Sequence, residues 1–596
     1  MTGIIKALGL VFGDIGTSPI YTLTVAFLIL EPTSENVLGV LSLVFWTLII
    51  LPTLQYNVLA MSLSIRGEGG TIVLSEIFKS LAKSNKAKSL VALLAFVGVS
   101  FLMGDGVITP AISILSAVEG LSFIHGFEGI SQTTIVLVAI VIAVVLFIFQ
   151  KNGTEKVAFA FGPIMFIWFV SLFILGMISI LSNPVVLKAV NPYYAVNFLL
   201  HNGWKGYLTL GEVILCTTGA EAMYADMGHL GSKPIRKAWT MVFFSLIINY
   251  FGQGAFILNN PQVKNILFEL ALNVLHSFYV PFLVLSLLAT VIASQAMISG
   301  MFSIVYQGIT TRILPMLKID YTSRELKSQI YIGSINWFLL IAVIFIMINF
   351  KSSSNLAAAY GFAVTTDMCI TGIILLSIFF LKRNYIAVLA AIIVTVVDFI
   401  YFSSTLYKIP AGGYLSIMLG LFPFFTILIY TQGQKRLYRY MMFMPADEFI
   451  IKFERVYKTS PRIPGTAIFF IRDTDKISPY IIETMFYHGI IYEDNIFLSV
   501  FIRPDPFGVT GYFKDDLCLG IRVFQIEMGY MEFVNIEEIL RHNGIEERTI
   551  FYGLEDIIAK GPWKFFAFLK RITPTFISFF RLPPRKLHGV FTRLEM

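Results

Sequence analysis

Charge is what this sequence has least of. Only 14% of its 596 residues are Asp, Glu, Lys or Arg, whereas a soluble protein carries roughly a quarter. With 56% hydrophobic residues and a mean hydropathy of +0.77, that shortage excludes an ordinary soluble protein and implies a polytopic membrane protein. Cysteine is scarce too. Cys216, Cys369 and Cys518 are far apart, which excludes a thiolate metal pattern; the first two lie in apolar segments and read as buried thiols. The seven histidines are scattered without ligand spacing, so neither a metal-catalytic site nor a nucleophile–base pair is inferred, and the chain does not read as an enzyme. A cleavable signal peptide is not expected, because the first apolar run carries Asp14 and has no small-residue cleavage pattern.

The net charge of +7 raises nucleic acid as a partner. Its placement argues against that: the cations cluster in short loops between apolar runs, as topology signals do. Runs of about twenty apolar residues, enough to cross a bilayer, recur from Ile4 to Tyr430 and then cease. They predict about twelve transmembrane helices, at 4–30, 40–63, 89–116, 132–150, 157–181, 206–226, 237–258, 277–309, 330–350, 355–381, 385–403 and 413–431. One set of loops holds eighteen Lys and Arg: 79, 83, 86, 88, 151, 156, 233, 236, 237, 312, 318, 324, 327, 382, 383, 435, 436 and 439. The opposite set holds five: Lys188, Lys205, Lys264, Lys351 and Lys408. The rich side belongs in the cytoplasm, which puts both termini there; the membrane expected is the cell (plasma) membrane. From about Met442 the texture changes to mixed charge with short β-rich runs. Thr466–Ile471, Ile496–Ile502 and Gly520–Met528 read as strands, with a helix near Pro479–His488. The expected division is a membrane domain over 1–441 and a cytoplasmic α/β domain over 442–596. Trp563–Lys586, with its aromatics and Lys564, Lys570, Arg571, Arg581, Arg585 and Lys586, suits either packing in that domain or contact with the anionic inner leaflet.

The apolar runs matter less than their breaks. In the first, Gly13-Asp14-Ile15-Gly16-Thr17-Ser18-Pro19 puts two glycines, a proline and a carboxylate where a helix should continue. The sixth has a similar interruption, Thr217-Thr218-Gly219-Ala220-Glu221-Ala222-Met223-Tyr224-Ala225-Asp226-Met227-Gly228. Paired breaks point to a transport site near the bilayer midplane, and their being five spans apart implies a 5+5 inverted repeat. Intramembrane carboxylates such as Asp14 and Glu221 are costly and usually functional; Asp226, near its span's end, reads equally as a loop acid. In the third span Asp105, Thr109 and Ser113 recur every four residues, a column of oxygens on one helix face, and Pro110 frees a carbonyl one turn earlier. Carboxylate, hydroxyl and carbonyl oxygens suit a monovalent cation and would repel a carboxylate substrate. Asp367 and Asp398 lie deep in the tenth and eleventh spans, fit for local pairing or for guiding ions. Arg66-Gly67-Glu68-Gly69-Gly70 lacks the spacing of a phosphate loop and reads as a cytoplasmic loop or gate.

These segments resemble the Kup (HAK/KUP/KT) potassium uptake permeases. The resemblance rests on Gly13–Tyr21, Gly67–Thr71, Ile108–Ser113, Gly162–Met165, Thr218–His229, Asn249–Ala255, Ala289–Gln295 and Leu356–Gly361, in family order, with Pro464–Ala467 at the start of the soluble domain. It implies a LeuT-like fold of the amino-acid/polyamine/cation superfamily and potassium uptake coupled to protons, with no other cofactor. By match to the motifs, Asp14, Tyr21, Asp105, Ser113, Thr218, Glu221 and Tyr360 would serve the cation, alongside Thr109 from the oxygen column. Unwound carbonyls near Gly13–Gly16 would help replace its water. For potassium itself the set is Asp14, Asp105, Ser113, Thr218 and Glu221; for the proton it is Glu221 first and Asp105 second. Two departures stand out: Asp105 replaces what is often Glu, and Gln55 stands where members often have lysine. Whether the cytoplasmic domain mediates a homodimer or binds a nucleotide regulator is left open by the sequence.

Overall fold

The computed structural model describes residues 2–65, 67–152, 155–311, 313–321, 330–441, 443–472, 474–503, 508–529, 535–573 and 584–595. Arg66, Arg312, Arg324, Lys327 and Arg581, which the topology and surface arguments used, lie outside the described residues. Two compact units emerge: Met1–Gly308 with Ser328–Phe425, and Ile309–Lys327 with Thr426–Met596.

Among the described residues ten helices are long and apolar enough to cross a membrane: Ser34–Ser62, Asn85–Phe123, Gln132–Phe149, Ala160–Ser182, Ser232–Asn259, Ile266–Ile309, Gly333–Phe350, Ser353–Leu381, Tyr385–Leu406 and Ile409–Tyr440. Each matches one expected span. An eleventh is the bent pair Gly3–Leu10 and Gly13–Ile20, whose halves meet at 69°. The count falls short of twelve at the sixth span, where the helix Tyr193–Val213 gives way to a tight turn, Ile214–Thr217, and then to short pieces at Ala222–Ala225 and Met227–Leu230. The interruption read from the sequence leaves no unbroken apolar stretch there.

Small residues let these helices approach closely, as helices in lipid require. A Cβ on Gly9 would lie 2.7 Å from the Gly162 nitrogen, and one on Gly252 2.3 Å from the Gly176 Cα. The first span is thereby pressed onto the fifth, and the fifth onto the seventh. The second span is irregular: from Ile49 to Leu59, around Pro52, it winds as a π-helix, a form that often marks functional positions.

The second unit holds a six-stranded sheet. In spatial order its strands are Leu587–Glu595, Glu547–Ile558, Ile463–Phe470, Tyr492–Arg503, Ile521–Gly529 and Val509–Phe513. All neighbours are parallel except the last pair, which is antiparallel. The run around Ile468 is apolar without alternation because both faces are covered. Ala467, Phe469 and Ile471 join one core with Phe449 and Phe453 of the helix Ala446–Thr459; Ile468 and Phe470 join another with Ile536 and Leu540. The expected strands are present, and the helix near Pro479–His488 is Pro479–Ile482 continued by a π turn, Glu483–Tyr487. In the helix Trp563–Ile572, Phe566 is buried against Leu437 while Phe568 and Ile572 stay exposed.

Candidate cation site

The first break falls at Val11 and Phe12, between the helices Thr2–Leu10 and Gly13–Thr17. The unwinding expected over Gly13–Pro19 is not found, because Gly13–Thr17 stays helical and Ser18–Ile20 tightens into a 3-10 turn. Gly13 is needed for space, since a Cβ there would lie 2.9 Å from the Ala293 Cα, and Pro19 supplies no N–H to the turn Ser18–Ile20. Backbone oxygens released by such a break need partners inside the bilayer. They find them in side chains: Trp168 Nε1 donates to the Gly16 carbonyl at 2.8 Å, Gln253 Nε2 to that of Pro19 at 2.9 Å, and the Thr17 hydroxyl to that of Asp14 at 2.9 Å. The carbonyls of Asp14 and Gly16, expected to be unwound and to face a cation, thus belong to a short helix and each already has one lone pair engaged by a side chain.

At the sixth break Gly219 takes φ +78°, in the left-handed region that favours glycine. A Cβ there would meet Asp14 Cβ at 2.7 Å and Asp14 Oδ2 at 2.8 Å. The two interruptions, some two hundred residues apart in sequence, thus pack directly on each other.

Around this contact the oxygens form two groups. In one, the Tyr360 hydroxyl donates to Asp14 Oδ2 at 3.0 Å and accepts from the Thr109 hydroxyl at 2.8 Å. Thr109 Oγ1 also lies 3.4 Å from Asp105 Oδ2. A threonine hydroxyl has one proton, so Thr109 satisfies Tyr360 or Asp105 but not both. In the other group Ser18 Oγ and Thr218 Oγ1 are 2.6 Å apart, with the Tyr21 hydroxyl 3.4 and 3.3 Å from them. Ser113 Oγ lies 3.4 Å from Thr17 Oγ1. Asp14 Oδ1, Asp105 Oδ1 and Glu221 Oε2 are buried without a hydrogen-bond partner.

All eight residues expected from the sequence are buried. Asp14, Tyr360, Thr109 and Asp105 form a chain of contacts, as do Tyr21 and Thr218. Glu221 stands apart. Among the described residues no hydrogen bond joins it to either group, and no three carboxylate, imidazole or thiolate groups converge as a metal cluster. Glu221 instead lines a cavity shared with Asp14, Gly219, Thr71, Tyr224 and Asp226. Gly70 also lines it, and a Cβ on Gly69 would lie 2.0 Å from the Tyr224 carbonyl. The glycine-rich segment is therefore packed against the second half of the sixth span.

A family model described as the K+ potassium transporter integral membrane domain matches residues 1–435, and one described as the K+ potassium transporter C-terminal domain matches 464–596. The chain belongs to this family. Among its relatives, a probable potassium transport system protein Kup of Methanosarcina acetivorans is 56% identical, covering 100% of this chain and 99% of its own. A probable potassium transport system protein Kup 2 of Geobacter sulfurreducens is 55% identical, covering 100% and 98%. A solved manganese transporter of Eremococcus coleocola aligns over 72% of this chain and 93% of its own, at 11% identity and a TM-score of 0.41, too remote to carry an argument.

Within this K+ transporter chain, several groups at the site were not singled out from sequence. Thr17 and Ser18 lie inside the first-span motif, where their position beside Pro19 was a usable signal. Trp168 gave none, and Gln253 only its place in the Asn249–Ala255 segment, because their roles depend on the fifth and seventh spans reaching the first break. Gln55, in the lysine position, donates to Asp398 Oδ2 at 2.9 Å and to the Met368 carbonyl at 3.0 Å. Asp398 thus pairs locally, one of the two roles its position had suggested.

Proposed function

We propose that this protein is a potassium uptake transporter that moves potassium together with protons by alternating access. Relatives along the whole chain carry potassium transport names, and the site offers carboxylate and hydroxyl oxygens. The observation that carries the reading is that Asp14 Oδ1 and Asp105 Oδ1 are buried without a hydrogen-bond partner, beside the Thr109–Tyr360 pair. Unpaired anionic oxygens inside a membrane protein call for a cation or a proton. In this reading Asp14, Asp105, Thr109, Ser113 and Thr218 replace water around potassium, and Tyr21 and Tyr360 close the site. Glu221, in the cavity wall and apart from both oxygen groups, carries the proton, with Asp105 second. Asp14 packed on Gly219 ties the two broken spans into one moving element, so that movement of either changes the ion's surroundings.

The same reading takes the broken sixth span as the twelfth crossing and the first ten spans as a LeuT-like 5+5 inverted repeat. It puts both termini in the cytoplasm and the protein in the plasma membrane, following the excess of Lys and Arg on one side. Neither a homodimer nor a nucleotide regulator enters it. A proton moving down about 100 mV contributes roughly 2.3 kcal/mol, but potassium gains as much on the same path, so potential alone does not require symport. Paired fluxes in proteoliposomes decide: potassium uptake acidifies the lumen, Glu221→Gln abolishes the acidification, and Asp14→Asn sharply weakens potassium dependence. Unchanged proton movement in Glu221→Gln removes Glu221 from this role, and wild-type potassium affinity in Asp14→Asn defeats the proposed site.

A further inference from the structure

Asp367 has no place in the site just described. It is seven residues from Tyr360 on the tenth span, hence on the same helix face and about 10 Å farther along at 1.5 Å per residue. The direction is toward Lys382 and Arg383, the cation-rich side. Across the seam a Cβ on Gly98 would sit 3.0 Å from Asp367 Oδ1 and 3.3 Å from Thr71 Cγ2. Gly98 is itself seven residues before Asp105 on the third span. The Tyr360–Thr109–Asp105 contact and the Asp367–Gly98 contact thus belong to one interhelical seam, two turns apart.

The Asp367 carboxyl is 2% exposed and neither of its oxygens has a hydrogen-bond partner. Glycine at 98 makes the room it occupies. The titratable groups whose charges couple to it are Tyr56 on the second span, Asp105 on the third, Glu221 and Tyr224 on the sixth, and Asp398 on the eleventh. All are acids or phenols. Asp398 is held by the neutral amide of Gln55, so among the described residues this group includes no cation to balance a second negative charge. The Tyr56 hydroxyl, carried here by the π-helical stretch of the second span, is also fully buried and unpartnered. The cavity comes close to this place: Thr71 and Tyr224 line it with hydroxyls 2.9 Å apart, and the Thr71 methyl carbon adjoins the Gly98–Asp367 contact.

We propose that Asp367 is a second proton-binding carboxyl, beside the cavity that Thr71 and Tyr224 line, and that its protonation sets the pH response of transport. A buried carboxylate with both oxygens unpartnered is costly, and a proton is a ligand that removes its charge. Deprotonation places a fixed negative charge two turns from Tyr360, along the cation's path. The inference rests on the reading that Asp14 marks that path, but not on a fixed coupling of protons to potassium.

The test uses the full chain in liposomes, with rubidium uptake measured across pH and infrared difference spectra between acidic and alkaline pH. The expected result is a protonated-carboxyl C=O band in the wild type that persists at neutral pH and loses one component in Asp367→Asn. Rubidium uptake by this variant continues but stays within about twofold across the pH range over which the wild type varies. Identical band titrations in the two proteins, or an unchanged pH profile in the variant, overturn the proposal. If Asp367→Asn does not fold, Asp367→Glu serves: it keeps a carboxyl at the position and shifts one C=O component in frequency, and spectra identical to the wild type count against the proposal. Wild-type rubidium uptake without proton movement would reject symport, while the spectra still decide Asp367.

Discussion

Adding a single methyl group at Gly219 tests whether the two breaks act as one. Gly219 has φ +78° and Gly231 φ +77°, so Ala at either position takes on left-handed backbone strain of about 1–2 kcal/mol. Around Gly231 nothing lies within 4 Å of the added Cβ, whereas at Gly219 it meets Asp14 Cβ at 2.7 Å and Oδ2 at 2.8 Å. Such overpacking costs about 1–3 kcal/mol. The nearest atoms belong to the carboxylate proposed to hold the ion, so relief comes from displacing Asp14, and the cost falls on cation binding. At about 1.4 kcal/mol per factor of ten, potassium affinity drops roughly five- to 150-fold. Gly231→Ala is expected to lower thermal stability yet keep wild-type affinity. The assay is rubidium uptake in proteoliposomes over a range of concentrations, with melting temperatures in detergent alongside. A half-saturating concentration for Gly219→Ala no different from that of Gly231→Ala would refute the reasoning.

Three further outcomes are expected. Tyr360→Phe removes the hydroxyl between Thr109 and Asp14; a hydrogen bond to a charged group is worth about 1.5–3 kcal/mol, so half-saturation for rubidium rises about ten- to hundredfold, and an unchanged value removes Tyr360 from the site. Lys408 Nζ is buried 2.7 Å from Glu212 Oε1 and 2.6 Å from the Gly211 carbonyl. Lys408→Met strands Glu212 and costs about 3–5 kcal/mol, most of it recovered when Glu212→Gln is added; equal melting of the single and double variants contradicts this. In the C-terminal unit the hydrogen bond to Glu547 Oε1, 2.7 Å away, holds the Lys586 ammonium above its ordinary value of 10.5, against a smaller desolvation effect. A raised folded-state pKa gives stability that is fully present below 10.5 and lost as pH rises past the folded value. Hydrogen exchange of Leu587–Glu595 should therefore respond to Lys586→Met at neutral pH and not in strong alkali; a difference that persists there rejects the assignment.

Much of the molecule is legible in one dimension because its signals are local. Hydrocarbon thickness sets the length of each span, and ten of the twelve expected helices stand where apolar runs placed them. Gly13, Gly16 and Pro19 announce an interruption without reference to any partner, although the bend itself falls just before them at Val11 and Phe12, and Gly219 announces the other. The spacing of Asp105, Thr109 and Ser113 survives because helix periodicity alone puts them on one face. The buried strands around Ile468 and Phe497 declare themselves through unbroken apolar runs.

Partner choice is not local, and the tertiary structure decides it. Tyr360 finds Asp14 across 346 residues of sequence, and Gln55 finds Asp398 across 343. Those contacts exist only because spans one, three, six and ten meet in one place, and two, ten and eleven in another. Composition shows that Asp367 is a carboxyl in an apolar helix, but only packing against Gly98 leaves both its oxygens without a partner. From sequence alone come the class of protein, the candidate oxygens of the site and, to within a few residues, the positions of its breaks. Which oxygen faces which, and which acid stands alone, follow from three-dimensional packing that pattern and periodicity do not specify.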